Sequence, residues 1–317
     1  MARRILITGA SGLLGAHLAA ALSRECEVTG VDRHPWWGDE PIRLIQEDLT
    51  TAPAAAARLI REAAPDVVIH CAAMTNVDAC EQEPARAEAV NAGLTRAIAH
   101  TLPASCLLVY ISTDGVLSGE AACSTEEAVP APRTAYGRSK LEGERAVLSA
   151  SDRHLVVRTN FYGWSSGRKR TAGEWLYGAL ADGQPITLFH DIYFTPIYVM
   201  DVVDALQALI ARRGRGLVHV GGRDRVSKEQ FGRLMAELGG FSAAQARSGS
   251  VEQAPLAASR PKDTSLSSAR YEQAAGRAAP SCRDGLLRFL ADQTRPLSRR
   301  VLAGDPQPRA GAPTVQA

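Results

Sequence analysis

Thr8-Gly-Ala-Ser-Gly-Leu-Leu-Gly15 follows directly on the apolar run Ile5-Leu6-Ile7 and sets Gly9, Gly12 and Gly15 at intervals of three. An apolar strand that ends in such a loop, then enters the Ala/Leu-rich stretch His17–Leu22, presents a helix N-terminus to a pyrophosphate. Glycines let backbone N–H groups approach phosphate oxygens, and the helix dipole favours negative charge there. The spacing G-x-x-G-x-x-G is one residue looser than the usual G-x-G-x-x-G, so a plain strand–turn–helix stays open on the loop alone. Its place at residue 9, opening the first β-α unit, favours the dinucleotide reading.

Alternation of the same kind continues downstream. Strands are expected at Arg4–Thr8, Glu27–Val31, Asp66–Cys71, Leu107–Ser112 and His154–Thr159. Helices are expected near Leu13–Arg24, Pro53–Ala63, Pro84–Thr101 and Ala135–Ser151. Near-continuous apolar strands between amphipathic helices predict an α/β fold, a Rossmann-type doubly wound parallel sheet covered on both faces. After residue 160 the pattern loosens into a Gly/Ser/Arg-rich stretch, Gly163–Gly173. A helix at Glu174–Ala181, a strand near Ile186–Phe189, a helix at Asp201–Arg212, a strand at Gly216–Val220 and a helix at Ser227–Leu238 follow. The division that results is a nucleotide-binding domain over 1–160, to which part of 185–225 returns, and a smaller mixed α/β region over 161–290 at the carboxyl edge of the sheet. Residues 293–317, rich in Pro, Arg, Ala and Gly, are expected to be a disordered tail.

With 317 residues, 33.8 kDa and 45% hydrophobic content, the chain can bury a large core. Lys plus Arg number 36 against 34 Asp plus Glu, a balance that argues against nucleic acid or a membrane surface as partner. No apolar run approaches the ~20 residues that span a bilayer. Met-Ala-Arg-Arg-Ile leads straight into a strand, which reads as no signal peptide and a cytoplasmic protein. The six cysteines form no C-x-x-C pair and no zinc spacing, so core thiols are expected and no metal.

Asp32 ends the second strand, where an acid accepts hydrogen bonds from the adenosine ribose and repels a 2′-phosphate. NAD(H) is therefore preferred over NADP(H), although Arg33 follows at once and offers a 2′-phosphate a partner. Tyr136-Gly-Arg-Ser-Lys140 places a phenol and an ammonium on one helix face. A cation nearby lowers a phenol pKa from about 10 and suits it to protonate an alkoxide as it forms. Upstream, Ile111-Ser112-Thr113-Asp114 ends a strand, where Thr113 can hold the same oxygen or merely cap a turn.

Glycine loop, strand-end Thr113 and Tyr-x-x-x-Lys, in this order, resemble the extended short-chain dehydrogenase/reductases. Further segments resemble the dTDP-4-dehydrorhamnose reductase family: Ala72-Ala73-Met74-Thr75-Asn76-Val77-Asp78 with Glu81, Ser112-Thr113-Asp114, and Tyr136–Glu144. Arg158-Thr159, Thr195-Pro196 and Arg260-Pro261 through Leu266 extend the likeness, which covers roughly residues 3 to 290. It implies Thr113, Tyr136 and Lys140 as a catalytic trio, with Tyr136 and Lys140 also touching the cofactor. It puts Gly9, Ser11, Gly12, Leu13, Leu14 and Gly15 on the pyrophosphate and Asp32, with Arg33, on the ribose. Asp48 and Leu49 would flank adenine, and Ala72, Ala73 and Thr75 would line the cofactor channel. Thr113, Asp114, Asn160 and Phe161 would face the sugar of a nucleotide-sugar substrate. Two departures bear on that sugar: Gly115 stands where the family usually has an aromatic residue, and Asn160-Phe161 where it has Ser-Trp.

The resemblance implies an NAD(P)H-dependent reductase of a nucleotide-activated 4-keto-6-deoxy sugar, with Tyr136 as general acid. Two alternatives stay open. One is an NAD-dependent nucleotide-sugar epimerase or dehydratase; the other is a cofactor-binding regulatory subunit, like the methionine adenosyltransferase β subunit that resembles the same family. A homodimer is also left open. His190 is read as a loop histidine without a catalytic role.

Overall fold

The computed structural model describes residues 2–293 except 39, 41, 52, 169, 255–257 and 259. The expectation for the tail therefore lies outside the described residues, apart from residue 293. The first half runs β1 (Arg4–Thr8), α1 (Leu13–Leu22), β2 (Glu27–Asp32), β3 (Arg43–Gln46), α2 (Pro53–Ala63), β4 (Val67–His70), α3 (Val77–Gln82), α4 (Pro84–Glu88), α5 (Leu94–Thr101), β5 (Leu107–Thr113), α6 (Ala135–Ala150) and β6 (Leu155–Thr159). The second half runs β7 (Phe161–Tyr162), α7 (Ala172–Ala181), β8 (Ile186–Phe189), β9 (Tyr193–Phe194), β10 (Ile197–Tyr198), α8 (Val199–Ala211), β11 (Gly216–Val220), β12 (Val226–Ser227), α9 (Lys228–Gly239), β13 (Ala246–Gly249), α10 (Ala269–Ala275) and α11 (Cys282–Asp292).

Seven strands form one sheet in the order β11-β6-β5-β4-β1-β2-β3, parallel throughout. Alternate residues of each strand feed opposite faces, as the two-residue period of a strand dictates. Ile5, Ile7, Ile69 and Val157 pack with Leu14 and Leu18 of α1 and Val202 of α8. Leu6, Val68, Leu108 and Val156 pack on the other side with Leu59, Ile98 and Val147. Both faces are covered, so the sheet is doubly wound, as the β-α alternation predicts.

Strand order reverses between β1 and β4, and ligands of such sheets bind in the crevice beyond that point. Backbone crowding there explains two of the three glycines. Gly9 has φ +70°, and a Cβ on it would lie 2.7 Å from the Ala72 amide at the end of β4. A Cβ on Gly15 would lie 2.1 Å from the Gly9 carbonyl, so α1 could not sit this close to the loop with any other residue.

Two details depart from expectation. β3 is an additional edge strand; only Leu44 and Ile45 are apolar in it, too short a run to register in the sequence. The stretch Pro84–Thr101 is not one continuous helix. A π-helical turn, Ala89–Gly93, separates α4 from α5 and carries the buried Asn91. Of residues 185–225, α8 and β11 join the main sheet assembly, whereas β8 pairs with β13 and β9 with β12 in the smaller region. Aromatic side chains knit that region to its surroundings, with Trp164 stacked on Phe289 and Tyr162 edge-on to Phe231. Among the described residues no helix is long and apolar enough to cross a membrane, and no His/Cys/Asp/Glu group could hold a metal ion.

Gly15→Ala should cost about 1–3 kcal/mol, the usual range for forcing atoms into a filled space. Gly115→Ala, whose added Cβ would meet nothing nearer than 3.4 Å, should stay within about 0.5 kcal/mol of the parent. Urea unfolding of the two variants checks this, and equal costs would contradict the packing described.

Candidate active site

Tyr136, Lys140 and Glu144 recur every fourth residue and share one face of α6. The helix starts where it does because the Thr134 hydroxyl accepts from the Gly137 amide at 3.0 Å and Glu81 accepts from the Ala135 amide at 2.5 Å. Gly137 lets this first turn press against the chain after β5: a Cβ there would lie 2.2 Å from the Gly115 carbonyl. Tyr136 is thereby set beside Thr113, at the carboxyl end of β5.

The Thr113 oxygen accepts from the Gly115 amide at 3.1 Å, and its hydroxyl donates to Asp114 Oδ1 at 3.1 Å. Thr113 thus caps a turn and also stands at the Tyr136 phenol. Burial raises the Tyr136 pKa above the ordinary phenol value, and the nearby Asp114 charge adds to it, while the Thr113 hydroxyl opposes. Lys140 does not supply the depression expected from Tyr-x-x-x-Lys. Its ammonium donates to the Ile111 carbonyl at 2.7 Å and lies 4.0 Å from the Tyr110 ring centroid. A buried ammonium takes an accessible strand-end carbonyl, because an unpaired charge there is costly. Burial also brings its pKa down to about 7, against the pull of Glu144. The apo lysine therefore loses its proton as pH rises through neutrality.

Glu144 ties three elements together. It receives the Arg158 guanidinium in a bidentate pair, at 2.9 and 2.7 Å, and the Ser112 hydroxyl at 2.5 Å. Both charged side chains are 2% exposed. Arg158 also contacts His219 Nε2 at 3.4 Å. Burial and that guanidinium hold His219 near pKa 4, so its neutral ring accepts from Arg158 and donates from Nδ1 to the Ser124 carbonyl.

A second polar chain reaches the site from the glycine loop. Thr95 donates to the Asn91 carbonyl at 2.7 Å, so His70 Nε2 donates to Thr95 and His70 Nδ1 accepts from Thr8. Asn91 in turn binds both polar backbone groups of Met74 and the Ser139 hydroxyl. No motif pointed to Asn91 or His70. Their signal is a polar residue inside an apolar stretch, which sequence alone cannot tell from a solvated position.

The residues expected to hold a cofactor are placed as follows. Gly12 caps α1 without a side chain, so the first-turn amides of Leu13 and Leu14 have no side-chain cap. A helix N-terminus left bare in a tight glycine loop suits a pyrophosphate, and that is the fit a dinucleotide requires. Asp32 closes the loop from β2, accepting from the Ser11 amide at 3.0 Å and the His34 amide at 2.8 Å. The Ser11 hydroxyl donates to the His34 and Pro35 carbonyls, within the protein itself. Arg33 is directed at the His34 ring, 3.2 Å away, rather than at Asp32. Thr50 holds the Asp48 carboxyl below its usual range, and Leu49 is buried. Ala72 and Ala73 are half-buried beyond β4, whereas Thr75 is exposed.

A cleft of about 840 Å³ is lined by Arg133, Arg225, Arg260 and Lys262 together with the acids Glu120, Asp191, Glu252 and Asp263, and by His190 and Tyr193. Arg225 lies 3.7 Å from the Tyr193 ring centroid and pairs with Asp263 at 2.6 Å. Arg260 pairs with Asp78 at 2.9 Å, so two distant motif segments meet here. Asn160 and Phe161 line a smaller cavity of about 50 Å³, reached also by Lys228.

A family model described as RmlD substrate binding domain matches residues 3–295. The chain belongs to that family. Within the RmlD family it is 37% identical, over 284 residues, to dTDP-4-dehydrorhamnose reductase of Mycobacterium tuberculosis, covering 84% of this chain and 86% of the relative. A probable low-salt glycan biosynthesis reductase of Haloferax volcanii is 32% identical over 288 residues, covering 88% and 95%. The crystal structure of Bacillus anthracis dTDP-4-dehydrorhamnose reductase in complex with NADP superposes with TM-score 0.82 at 28% identity, covering 92% of this chain and 100% of that one.

Glu144→Gln and Arg158→Met should each cost about 3–5 kcal/mol, because either leaves one buried charge without its partner. The double variant should cost less than the sum, with a coupling of about 1–3 kcal/mol in a denaturant double-mutant cycle. Additive, small effects would mean that the pair does not brace the site.

Proposed function

We propose that the chain is an NAD(P)H-dependent reductase that converts the 4-keto group of a nucleotide-activated 6-deoxy sugar to an alcohol. The observation that carries this reading is the convergence of Thr113, Tyr136 and Lys140 at the strand ends of a sheet whose first glycine loop leaves its helix N-terminus without a side-chain cap. When bound, the dinucleotide supplies the hydride that reaches C4. The phenol of Tyr136 gives its proton to the oxygen as negative charge develops there. Thr113 donates to the same oxygen by turning its hydroxyl from Asp114, which keeps the Asn160 and Thr264 donors at 2.6 and 2.7 Å. Lys140 leaves the Ile111 carbonyl for the ribose hydroxyls and brings its charge toward the phenol. Holding the carbonyl in place with its donors already aimed supplies most of the rate gain. In the cleft, Arg133, Arg225, Arg260 and Lys262 each pair with a carboxylate, so a diphosphate bound there competes with those carboxylates for the cations.

NADH is the preferred donor in this reading, because the Asp32 carboxylate at the end of β2 disfavours a 2′-phosphate. Arg33 is the residue that would reverse the preference.

The test is oxidation of NADH and of NADPH, each with a panel of 4-keto-6-deoxy sugar nucleotides, for the parent and Tyr136→Phe. The parent should turn over at least one keto sugar, faster with NADH. Loss of the general acid should cut kcat about 10²–10⁴-fold with cofactor affinity kept. A parent that binds cofactor but oxidises none of it would favour the regulatory-subunit reading, and a Tyr136→Phe variant with full turnover would remove Tyr136 from the mechanism.

A further inference from the structure

Asp114 lies at the end of β5, 5% exposed, where three neutral donors converge on it. Thr113 donates to Oδ1, and Asn160 and Thr264 donate to Oδ2. Lys228, the first residue of α9, approaches from the smaller region. Its ammonium lies 3.6 Å from the Phe194 ring centroid and feels the charge of Asp114. Yet the two stop short of an ion pair, and among the described residues no oxygen accepts a hydrogen bond from this ammonium. It opens instead on the 50 Å³ cavity, which it shares with Asn160, Phe161, Leu176, Leu188 and Phe194.

That arrangement is incomplete as a purely structural pair. An ammonium has three donors and no acceptor role, and a ring face satisfies it only in part. Burial lowers its pKa to about 8 while Asp114 holds it up, so it is largely charged at neutral pH. What is missing between a carboxylate and an ammonium held apart is a group that donates to one and accepts from the other. A sugar hydroxyl is such a group.

We propose that Lys228 is a specificity-determining residue of the sugar subsite, donating to a hydroxyl oxygen on the sugar edge that faces α9 while Asp114 accepts that hydroxyl's proton. The inference rests on the reading of the cleft as a nucleotide-sugar site. It gives the smaller region a direct part in choosing the sugar, through a residue on a helix far in sequence from the trio. Gly115 leaves room for it, because no side chain projects from that position between Thr113 and Tyr136. Lys228 is half-buried, and a sugar without that hydroxyl leaves its ammonium one hydrogen bond short, which is a basis for rejecting the analogue.

Isothermal titration of dTDP, UDP, dTDP-glucose and UDP-glucose against the parent, Lys228→Met and Lys228→Arg tests this. Met keeps the four-atom apolar stem and removes the ammonium with its charge and donors. Lys228→Met should weaken the preferred nucleotide sugar by about tenfold or more, the size of one lost hydrogen bond to a charged group. It should leave the matching free nucleotide, NADH affinity and melting temperature unchanged, and Lys228→Arg should recover part of the loss. Unchanged nucleotide-sugar affinity in Lys228→Met overturns the proposal, and so does equal weakening of nucleotide and nucleotide sugar. A parent that binds none of the four compounds would instead sink the nucleotide-sugar reading itself.

Discussion

A buried ion pair, Glu144 with Arg158, braces everything that stands at the carboxyl edge of the sheet. It joins the helix that carries Tyr136 and Lys140 to β6, which carries Thr159 into Asn160, and through Ser112 to the end of β5, which carries Thr113. Such a pair is a poor source of net stability, because desolvation offsets most of its attraction. Its value here is geometric: two parallel hydrogen bonds fix the rotation of α6 about its axis. A helix free to roll would carry Tyr136 away from Thr113. The same anion opposes the fall of the Lys140 pKa, so the brace also acts on the charge of the site.

Burial, with the Asp114 charge adding to it, pushes the Tyr136 phenol up and keeps its proton on, while burial pushes the Lys140 ammonium down against the pull of Glu144. The resting arrangement is thus a protonated phenol that feels the charge of Asp114 and a lysine that feels the charge of Glu144.

How much of this was legible depended on whether a residue's role was local. Ile5–Gly15 and Tyr136–Lys140 encode their roles in consecutive or helical spacing, and the switch-point loop and the face of α6 came out as those spacings predict. Asp32 was visible because it ends an apolar strand, although the structure spends its oxygens on the Ser11 and His34 amides. The direction of Lys140 was not visible, since spacing brings two residues to one face without saying which acceptor wins. Asn91 is turned inward by a π-helical turn that no periodicity announces. The approach of Lys228 to Asp114 could not be found at all, because the two are more than a hundred positions apart. Edge strand β3 failed for a simpler reason, having only two apolar residues.

The reduction itself can be followed with the cofactor deuterated at nicotinamide C4, on the transferred face, and a 4-keto-6-deoxy sugar nucleotide, with the product read by NMR. Deuterium at sugar C4, in amount equal to the cofactor oxidised, is the predicted result. Deuterium absent from the product, or product formed with no net oxidation of the cofactor, would contradict reduction at C4 and point to a cycle in which the hydride returns.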